Sequence, residues 1–249
     1  MMTRIYSLPT TTLQKSIRNI ALILMIINHS AKIAFMQHPH IIYFLHYFGL
    51  AAYPLLALLI TYNLIVRGVP YHKYLVRLLL FGILAQYYYM DVFGVKLNAL
   101  FELAIGVVVV TLLQRPFSLL NAAAIALLLI LEYTIGSNGG YSVLMFILFS
   151  IYFSKESPIS KEIAIGLLLL VLFNRDVLYD GIGLSVLITV MGIYLLNQST
   201  TNRQHHQKKE RVSHSNTPMG LLQHYAFYII YVVQFPVMYY SYHLFFKTS

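Results

Sequence analysis

The chain has 249 residues, of which 59% are hydrophobic and only 10% are charged. Because a soluble domain carries about a quarter of its residues as charged groups, this composition argues against a soluble globular protein and predicts a surface solvated mostly by lipid. The formal net charge of +9 does not indicate a nucleic-acid partner, since the basic residues lie between apolar runs, as in the loops of membrane proteins.

Apolar runs recur along the whole chain, and the longest exceed the roughly 18 residues that cross a bilayer as a helix. They predict a single all-α domain, residues 1–249, built as a polytopic transmembrane helical bundle. The nine candidate spans are Ile17–Phe35, Ile42–Val66, Tyr74–Val92, Leu97–Leu113, Phe117–Thr134, Gly139–Phe153, Ile163–Phe173, Leu178–Leu196 and Leu221–Phe246. The first lacks a small-residue cleavage site, so we interpret it as an uncleaved helix.

The sixth and seventh spans are short, and they decide the count. At 1.5 Å per residue, Ile163–Phe173 covers only about 17 Å, which predicts a tilted or re-entrant segment. With nine spans and a cytoplasmic N-terminus, the cytoplasmic segments hold all 17 basic residues except Lys32, Lys96, Arg175 and Lys247. Lys and Arg favour cytoplasmic loops. If one short span is removed, the basic cluster Arg203–Arg211 moves to the outer side. If both are removed it stays in the cytoplasm, so seven spans is the alternative.

One polar stretch, Asn197–Pro218, interrupts the apolar pattern and contains several histidines and basic residues. With nine spans it lies on the cytoplasmic side. We predict a solvated cytoplasmic loop at 197–218 in preference to a metal site, because charge runs of this kind are usually solvated. We expect no metal in this protein.

The most informative polar residues inside an apolar run are Asn28, His29 and Lys32, which share a face of the first helix by their spacing. His29 lies 11 residues beyond Arg18, roughly 16 Å into the membrane. A histidine at this depth suits acid–base chemistry near neutral pH. The alternative is a histidine satisfied by hydrogen bonds between helices, and the residue pattern leaves both open.

Other polar residues lie in later spans. Asn98 and Glu102 are four residues apart at the start of the fourth span, and Gln86 lies in the third. Gln234 lies two residues before Pro236, where its amide is expected to satisfy backbone groups that the proline frees. Glu132, near the end of its span, is expected to be solvated.

The motifs of several enzyme classes are absent from the sequence. There is no cysteine, which excludes disulfides, thiolate metal sites and a cysteine nucleophile. No nucleotide-binding loop, zinc-type histidine pair or serine-nucleophile elbow is present. From the residues alone, an intramembrane enzyme and a transporter are comparable interpretations.

Five short motifs, in this order, resemble the TraX family, the inner-membrane pilin acetylases of conjugative transfer systems. They are the apolar helix Ala21–His29, the stretch Gly49–Leu55, the helix Arg77–Gln86, the element Asn98–Phe101 and the motif Tyr231–Gln234. The chain departs from the family at three of these positions. Asn28 replaces an acid, Leu50 an arginine and Gln234 a histidine.

The resemblance implies a membrane-embedded acetyltransferase, related to other transmembrane acyltransferases, that moves an acetyl group from acetyl-CoA to an amine. The acceptor would be the N-terminus of a conjugative pilin, and the location the bacterial inner membrane. His29 would be the general base and Asn28 its orienting partner. Residues expected to bind substrate or CoA are Arg77, Arg67, Lys73, Gln86, Asn98, Glu102 and Gln234. For Arg77 the alternative is a cytoplasmic anchor, and for the protein a non-catalytic pilin-assembly factor or a transporter.

Overall fold

The computed structural model describes residues 12–34, 45, 48–93, 96–136, 140–154, 158–178, 184–206, 228–234, 236–237 and 240. The helices in this part of the chain are α1 Thr12–Ala34, α2 Ala52–Ile65, α3 Tyr71–Phe93, α4 Ala99–Leu113, α5 Leu119–Ile135, α6 Tyr141–Phe153, α7 Pro158–Leu178 and α8 Leu184–His206. Residues 228–234 form a further helical segment, called here the C-terminal segment. The described residues include no strand, so the all-α prediction is confirmed.

Helix α2 occupies the centre of the bundle. Every residue from Ala52 to Leu64 is buried, and α1, α4, α6 and α8 pack around it. A helix that is hydrophobic on all sides is expected to be surrounded by other helices. The residues that flank α2 also lie next to the core, and Gly49 and Arg67 are both buried.

Close helix contacts depend on glycine at one position in particular. A Cβ added to Gly106 of α4 would lie 2.0 Å from the ring of Phe146 on α6, so any larger residue would force α4 and α6 apart. The ring is fully buried. Small residues at helix contacts allow the close approach that is typical of helix packing in membranes.

Helix α5 reverses the distribution of residues that is usual in a soluble protein, because its charged residue is buried and its large apolar residues are exposed. Its only buried residue is Glu132, whereas Leu119, Leu120 and Leu127 are 82%, 80% and 66% exposed. Large exposed apolar surfaces mark sites of contact with membranes or other proteins. The burial of Glu132 also shows that the expectation of a solvated carboxylate at this position was wrong.

Helix lengths test the predicted spans only in part. Within the described residues, Phe48–Ile65 alone is long and apolar enough to cross a bilayer, and it is 89% buried, as a core helix would also be. Shorter apolar helices are Ala99–Leu113, Leu119–Ile135, Tyr141–Phe153 and Leu184–Leu196. The number of membrane crossings, nine or seven, stays a prediction.

Two predicted boundaries differ from the structure. Helix α7 is continuous over 21 residues, about 30 Å at 1.5 Å per residue, although its predicted core Ile163–Phe173 was much shorter. Helix α8 continues to His206, so the first ten residues of the predicted loop 197–218 are helical. No glycine or proline lies between Gly192 and Pro218, and nothing in this stretch stops a helix locally. Residues 207–218 lie outside the described part.

Candidate functional site

His29 lies on α1 and points into the bundle, with only 7% of its surface exposed. Its imidazole ring contacts the phenol ring of Tyr231 edge-on, with the ring centroids 6.2 Å apart and the ring planes at 75°. Tyr231 is itself fully buried. The edge-on contact is a favourable geometry for aromatic rings, and it fixes the imidazole between α1 and the C-terminal segment.

The C-terminal segment has one buried face. Tyr228, Tyr231 and Gln234 are all buried, whereas Val233 is 52% exposed. Residues three apart share one face of a helix, so the three form a single stripe that faces the protein interior. The ring of Tyr228 stacks on Phe81 of α3, with centroids 5.1 Å apart and planes at 15°. The segment therefore contacts both α1 and α3.

The hydroxyl of Tyr231 reaches the start of α4. It lies beside the backbone N–H groups of Ala99 and Leu100 and within the electrostatic field of Glu102. Tyr231 therefore links His29 to the first turn of α4, where Glu102 is completely buried.

Asn28 contacts the turn that precedes α2. A Cβ added to Gly49 would lie 2.2 Å from the Cβ of Asn28, so the Asn28 side chain packs directly on the Gly49 backbone. The next carbonyl, that of Leu50, accepts a 3.0 Å hydrogen bond from Nη1 of Arg175. Arg175 is 3% exposed. This turn is thus held between α1 and α7.

Asn98 and Gln86, both predicted to bind substrate, join α3 to α4. Asn98 Nδ2 donates to the Gly82 carbonyl and to Gln86 Oε1, each at 2.8 Å. Its Oδ1 accepts from the Leu100 N–H and so caps α4. Gln86 Nε2 donates to the Lys96 carbonyl at 2.7 Å. Both amides therefore hold α3 against the start of α4. Substrate binding by Asn98 and Gln86 stays a prediction.

Two buried carboxylates meet at the contact between α4 and α5. A Cβ added to Gly136 would lie 2.7 Å from Cγ of Glu132 and 3.1 Å from Oε1 of Glu102. Oε2 of Glu132 accepts a 2.8 Å hydrogen bond from the Val143 N–H in the first turn of α6. Gly140, the N-cap residue of α6, has no side chain that could do so. Glu132 therefore caps α6 from a neighbouring helix.

Tyr53 connects the carboxylates to the turn before α2. Its hydroxyl is hydrogen-bonded to the Ser142 hydroxyl, and the charges of Glu132, Glu102 and Arg175 all act on it. Each of these residues is buried. Buried charges in membrane proteins usually face one another or a functional site, and here they lie at the same end of the bundle as His29.

A basic cluster, Arg18, Arg67 and Arg77, lies at the opposite end of α1. Arg67 Nη1 donates to Asn63 Oδ1 at 2.7 Å, and Asn63 Nδ2 donates to the Tyr74 hydroxyl at 2.9 Å. The charges of Arg67, Arg77 and Arg18 all act on that hydroxyl. Three guanidinium groups from three parts of the chain therefore lie close enough to Tyr74 for their charges to act on it.

The structure sorts the predicted site residues into two places. His29, Asn28, Glu102 and Gln234 belong to the end with the buried charges. Arg67 and Arg77 belong to the basic cluster, beside which Lys73 is exposed. The side chain of Lys32 and the whole of Lys247 lie outside the described part of the chain. Among the residues that are described, no group of three or more His, Cys, Asp or Glu comes together.

The sequence did not predict Arg18, Tyr231 and Arg175 as residues of the site. Arg18 was counted only as a cytoplasmic charge, and Tyr231 only as part of a motif. Arg175 carried a usable signal, because it was one of four basic residues outside the cytoplasmic pattern. A charge that breaks this pattern near a span is expected to have a buried partner, and Arg175 has one in the Leu50 carbonyl.

Comparison with known proteins gives one match. A family sequence model described as TraX protein matches residues 14–246, which covers nearly the whole chain. No curated protein matches, and no solved structure matches.

Proposed function

The chain belongs to the TraX family, and on that premise we propose that it is a membrane-embedded acetyltransferase. It transfers an acetyl group from acetyl-CoA to an amine. The acceptor is the amino terminus of a conjugative pilin, as the family resemblance implies. The location is the bacterial inner membrane, with the N-terminus in the cytoplasm.

His29 is the general base of this reaction. The neutral acceptor amine attacks the thioester carbonyl, the new C–N bond forms, and the C–S bond breaks. His29 takes the proton that the amine loses and returns it to the departing CoA thiolate. A positioned base typically contributes about 10²–10⁴-fold to such a step. Burial of His29 and its contact with Tyr231 support this role, because they hold the ring in one orientation.

Asn28 takes the place of the acid that the family carries before its histidine. Its side chain packs on Gly49, which fixes α1 against the turn before α2. An asparagine amide carries no charge, so it orients neighbouring groups through hydrogen bonds alone. We assign Asn28 the task of steadying the reacting carbonyl or the imidazole ring of His29.

The basic cluster binds the phosphate groups of CoA. Guanidinium groups bind phosphate through paired, charge-assisted hydrogen bonds, and the charges of Arg18, Arg67 and Arg77 all act on the Tyr74 hydroxyl. Lys73 is exposed next to this point and adds a cation at its edge. With the N-terminus inside, the cluster faces the cytoplasm, where acetyl-CoA is made.

The observation on which the proposal rests is the spacing, along α1, between the basic cluster at Arg18 and the proposed base His29. Arg18 and His29 are separated by 11 residues of α1, or about 16 Å at 1.5 Å per residue. An extended pantetheine arm bridges a gap of this size. Phosphates held at the basic cluster would therefore leave the thioester within reach of His29, deep in the bundle.

The outward surface supports a membrane location. Leu119, Leu120 and Leu127 of α5 are strongly exposed, as are Val76 and Ile83 of α3, at 63% and 64%. Exposed apolar side chains of this size on two helices are costly in water. They are compatible with lipid on the outside and polar groups within the bundle.

The direct test measures acetylation of the pilin. Intact-mass analysis of the pilin made with the wild-type protein, with His29→Ala and without the protein should show one acetyl group in the first case alone. Purified protein in nanodiscs with labelled acetyl-CoA should transfer label to the pilin amino terminus. A pilin of equal mass in all three cells would contradict the proposal and favour a non-catalytic assembly role.

A further inference from the structure

Gln234 has a buried amide with no hydrogen bond in the described part of the chain. It is 9% exposed, and its Nε2 and Oε1 atoms are both shielded from solvent without a partner. A buried polar group without a partner is unusual and costly. The sequence predicted that this amide would satisfy groups freed by Pro236. The structure shows no such bond, so that prediction was wrong.

The amide faces the site and not the outside. Gln234 follows Tyr231 by three residues on the buried stripe of the C-terminal segment, whereas Ile229, Ile230 and Val233 on the other faces are 43%, 39% and 52% exposed. Ring contacts hold two members of the stripe in place, Tyr228 on Phe81 and Tyr231 on His29. Gln234 lies one helical turn beyond Tyr231 on this stripe, so a donor and an acceptor without a partner among the described residues lie about 4.5 Å further along the segment than the ring that contacts His29.

A planar amide carries one donor group and one acceptor atom next to each other. It therefore favours a ligand in which an acceptor and a donor are also close together. The amino end of a peptide has this arrangement, because its amine N–H and its first carbonyl are attached to the same Cα. A glutamine amide can accept from the amine and donate to the carbonyl. A lysine ε-amine offers no neighbouring carbonyl and would satisfy only half of the amide.

We propose that Gln234 is the specificity residue that recognises the free α-amino end of a peptide acceptor. This inference rests on the proposed acetyl transfer. Oε1 accepts one N–H of the neutral amine, and Nε2 donates to the first peptide carbonyl. The amine lone pair then attacks the acetyl carbonyl, and the second N–H proton passes to His29. Gln234 itself neither gains nor loses a proton.

The test compares two acceptors on two proteins in nanodiscs. One acceptor is a short peptide with a free amino terminus, and the other is the same peptide with a methylene in place of its first carbonyl. The proteins are the wild type and Gln234→Met, which keeps the side-chain length but has no amide. The methylene changes amine basicity equally for both proteins, so the ratio of their preferences isolates the contact with Gln234.

The preference of each protein is its kcat/KM for the carbonyl-containing acceptor divided by its kcat/KM for the methylene analogue. We expect this ratio to be about 10–100-fold larger in the wild type than in Gln234→Met, because a site built for a hydrogen bond rejects a ligand that lacks it. The KM for acetyl-CoA should be the same in both proteins, which shows that the variant is folded. An equal preference in the two proteins would overturn the inference.

The same experiment separates this inference from the proposed function. A wild type that acetylates neither peptide contradicts acetyl transfer to peptides. In that case, binding of the carbonyl-containing peptide, labelled at its carboxyl end, decides the role of Gln234. Binding weakened by about tenfold or more in Gln234→Met, as expected for the loss of two neutral hydrogen bonds, supports recognition of the amino end, and equal binding overturns it.

Discussion

The imidazole of His29 and the phenol ring of Tyr231 meet edge-on at 6.2 Å and 75°, although 202 positions separate them in the sequence (231 − 29). The contact joins the first helix of the described chain to its last helical segment. Because Tyr231 also reaches the first turn of α4, three parts of the chain hold this histidine in place.

Replacement of His29 tests base catalysis directly. Both His29→Ala and His29→Gln should lower acetyl transfer by about 10²–10⁴-fold, because neither residue exchanges a proton near neutral pH. Binding of labelled acetyl-CoA should persist in both. If His29 only holds helices together, glutamine should instead restore activity and alanine should reduce the amount of folded protein.

The basic cluster should control the affinity for acetyl-CoA. Arg18→Ala and Arg77→Ala should each raise the KM for acetyl-CoA by about tenfold or more, since a charge-assisted hydrogen bond contributes about 1.5–3 kcal/mol. Arg115→Ala is the matched control, because Arg115 is exposed and outside the cluster. Lower expression with an unchanged KM would show that Arg77 is a cytoplasmic anchor.

The contact of Gly49 with Asn28 should tolerate no side chain. Gly49→Ala is expected to destabilise the protein by about 1–3 kcal/mol through overpacking, because its Cβ would meet Asn28 at 2.2 Å. Gly166→Ala is the control, since a Cβ there meets nothing within 4 Å. In mid-helix this control should be stabilising by about 0.5–1 kcal/mol. Thermal unfolding in one detergent compares the two, and equal unfolding temperatures would contradict the close approach.

The cap that Glu132 provides for α6 predicts an order of stability. Glu132→Ala removes the acceptor of the Val143 N–H and should cost about 1–3 kcal/mol. Glu132→Gln keeps an oxygen acceptor and should cost less. Thermal unfolding measured by loss of helical circular dichroism gives the order, and a glutamine variant less stable than the alanine variant would refute it.

A cytoplasmic N-terminus together with an odd number of spans, both predicted from the basic residues, places the C-terminus in the periplasm. Reporter fusions after Ser215 and after Ser249 should report cytoplasm and periplasm respectively, because one predicted span, Leu221–Phe246, separates these sites. The first site lies beyond the end of α8 at His206, so the fusion leaves that helix intact. Reporters on the same side of the membrane would contradict both the nine-span and the seven-span arrangement.

The sequence alone was sufficient for the helical class and for the family. Each of these depends on local information. Apolar runs and the absence of helix breakers determine helices within a few turns, and the family motifs are short and read in order. Helix boundaries were predicted less accurately, since α8 continues to His206 and the predicted span ended at Leu196.

Only the tertiary structure decided which polar groups meet. Arg175 and the Leu50 carbonyl are bonded across 125 positions, and Glu132 reaches the start of α6 instead of the solvent. Such pairs depend on how far each helix is rotated about its own axis and which neighbour it faces, and the packing of the whole bundle sets both. The same packing left the amide of Gln234 buried, one helical turn from Tyr231, without a partner among the described residues, which no local pattern in the sequence could indicate.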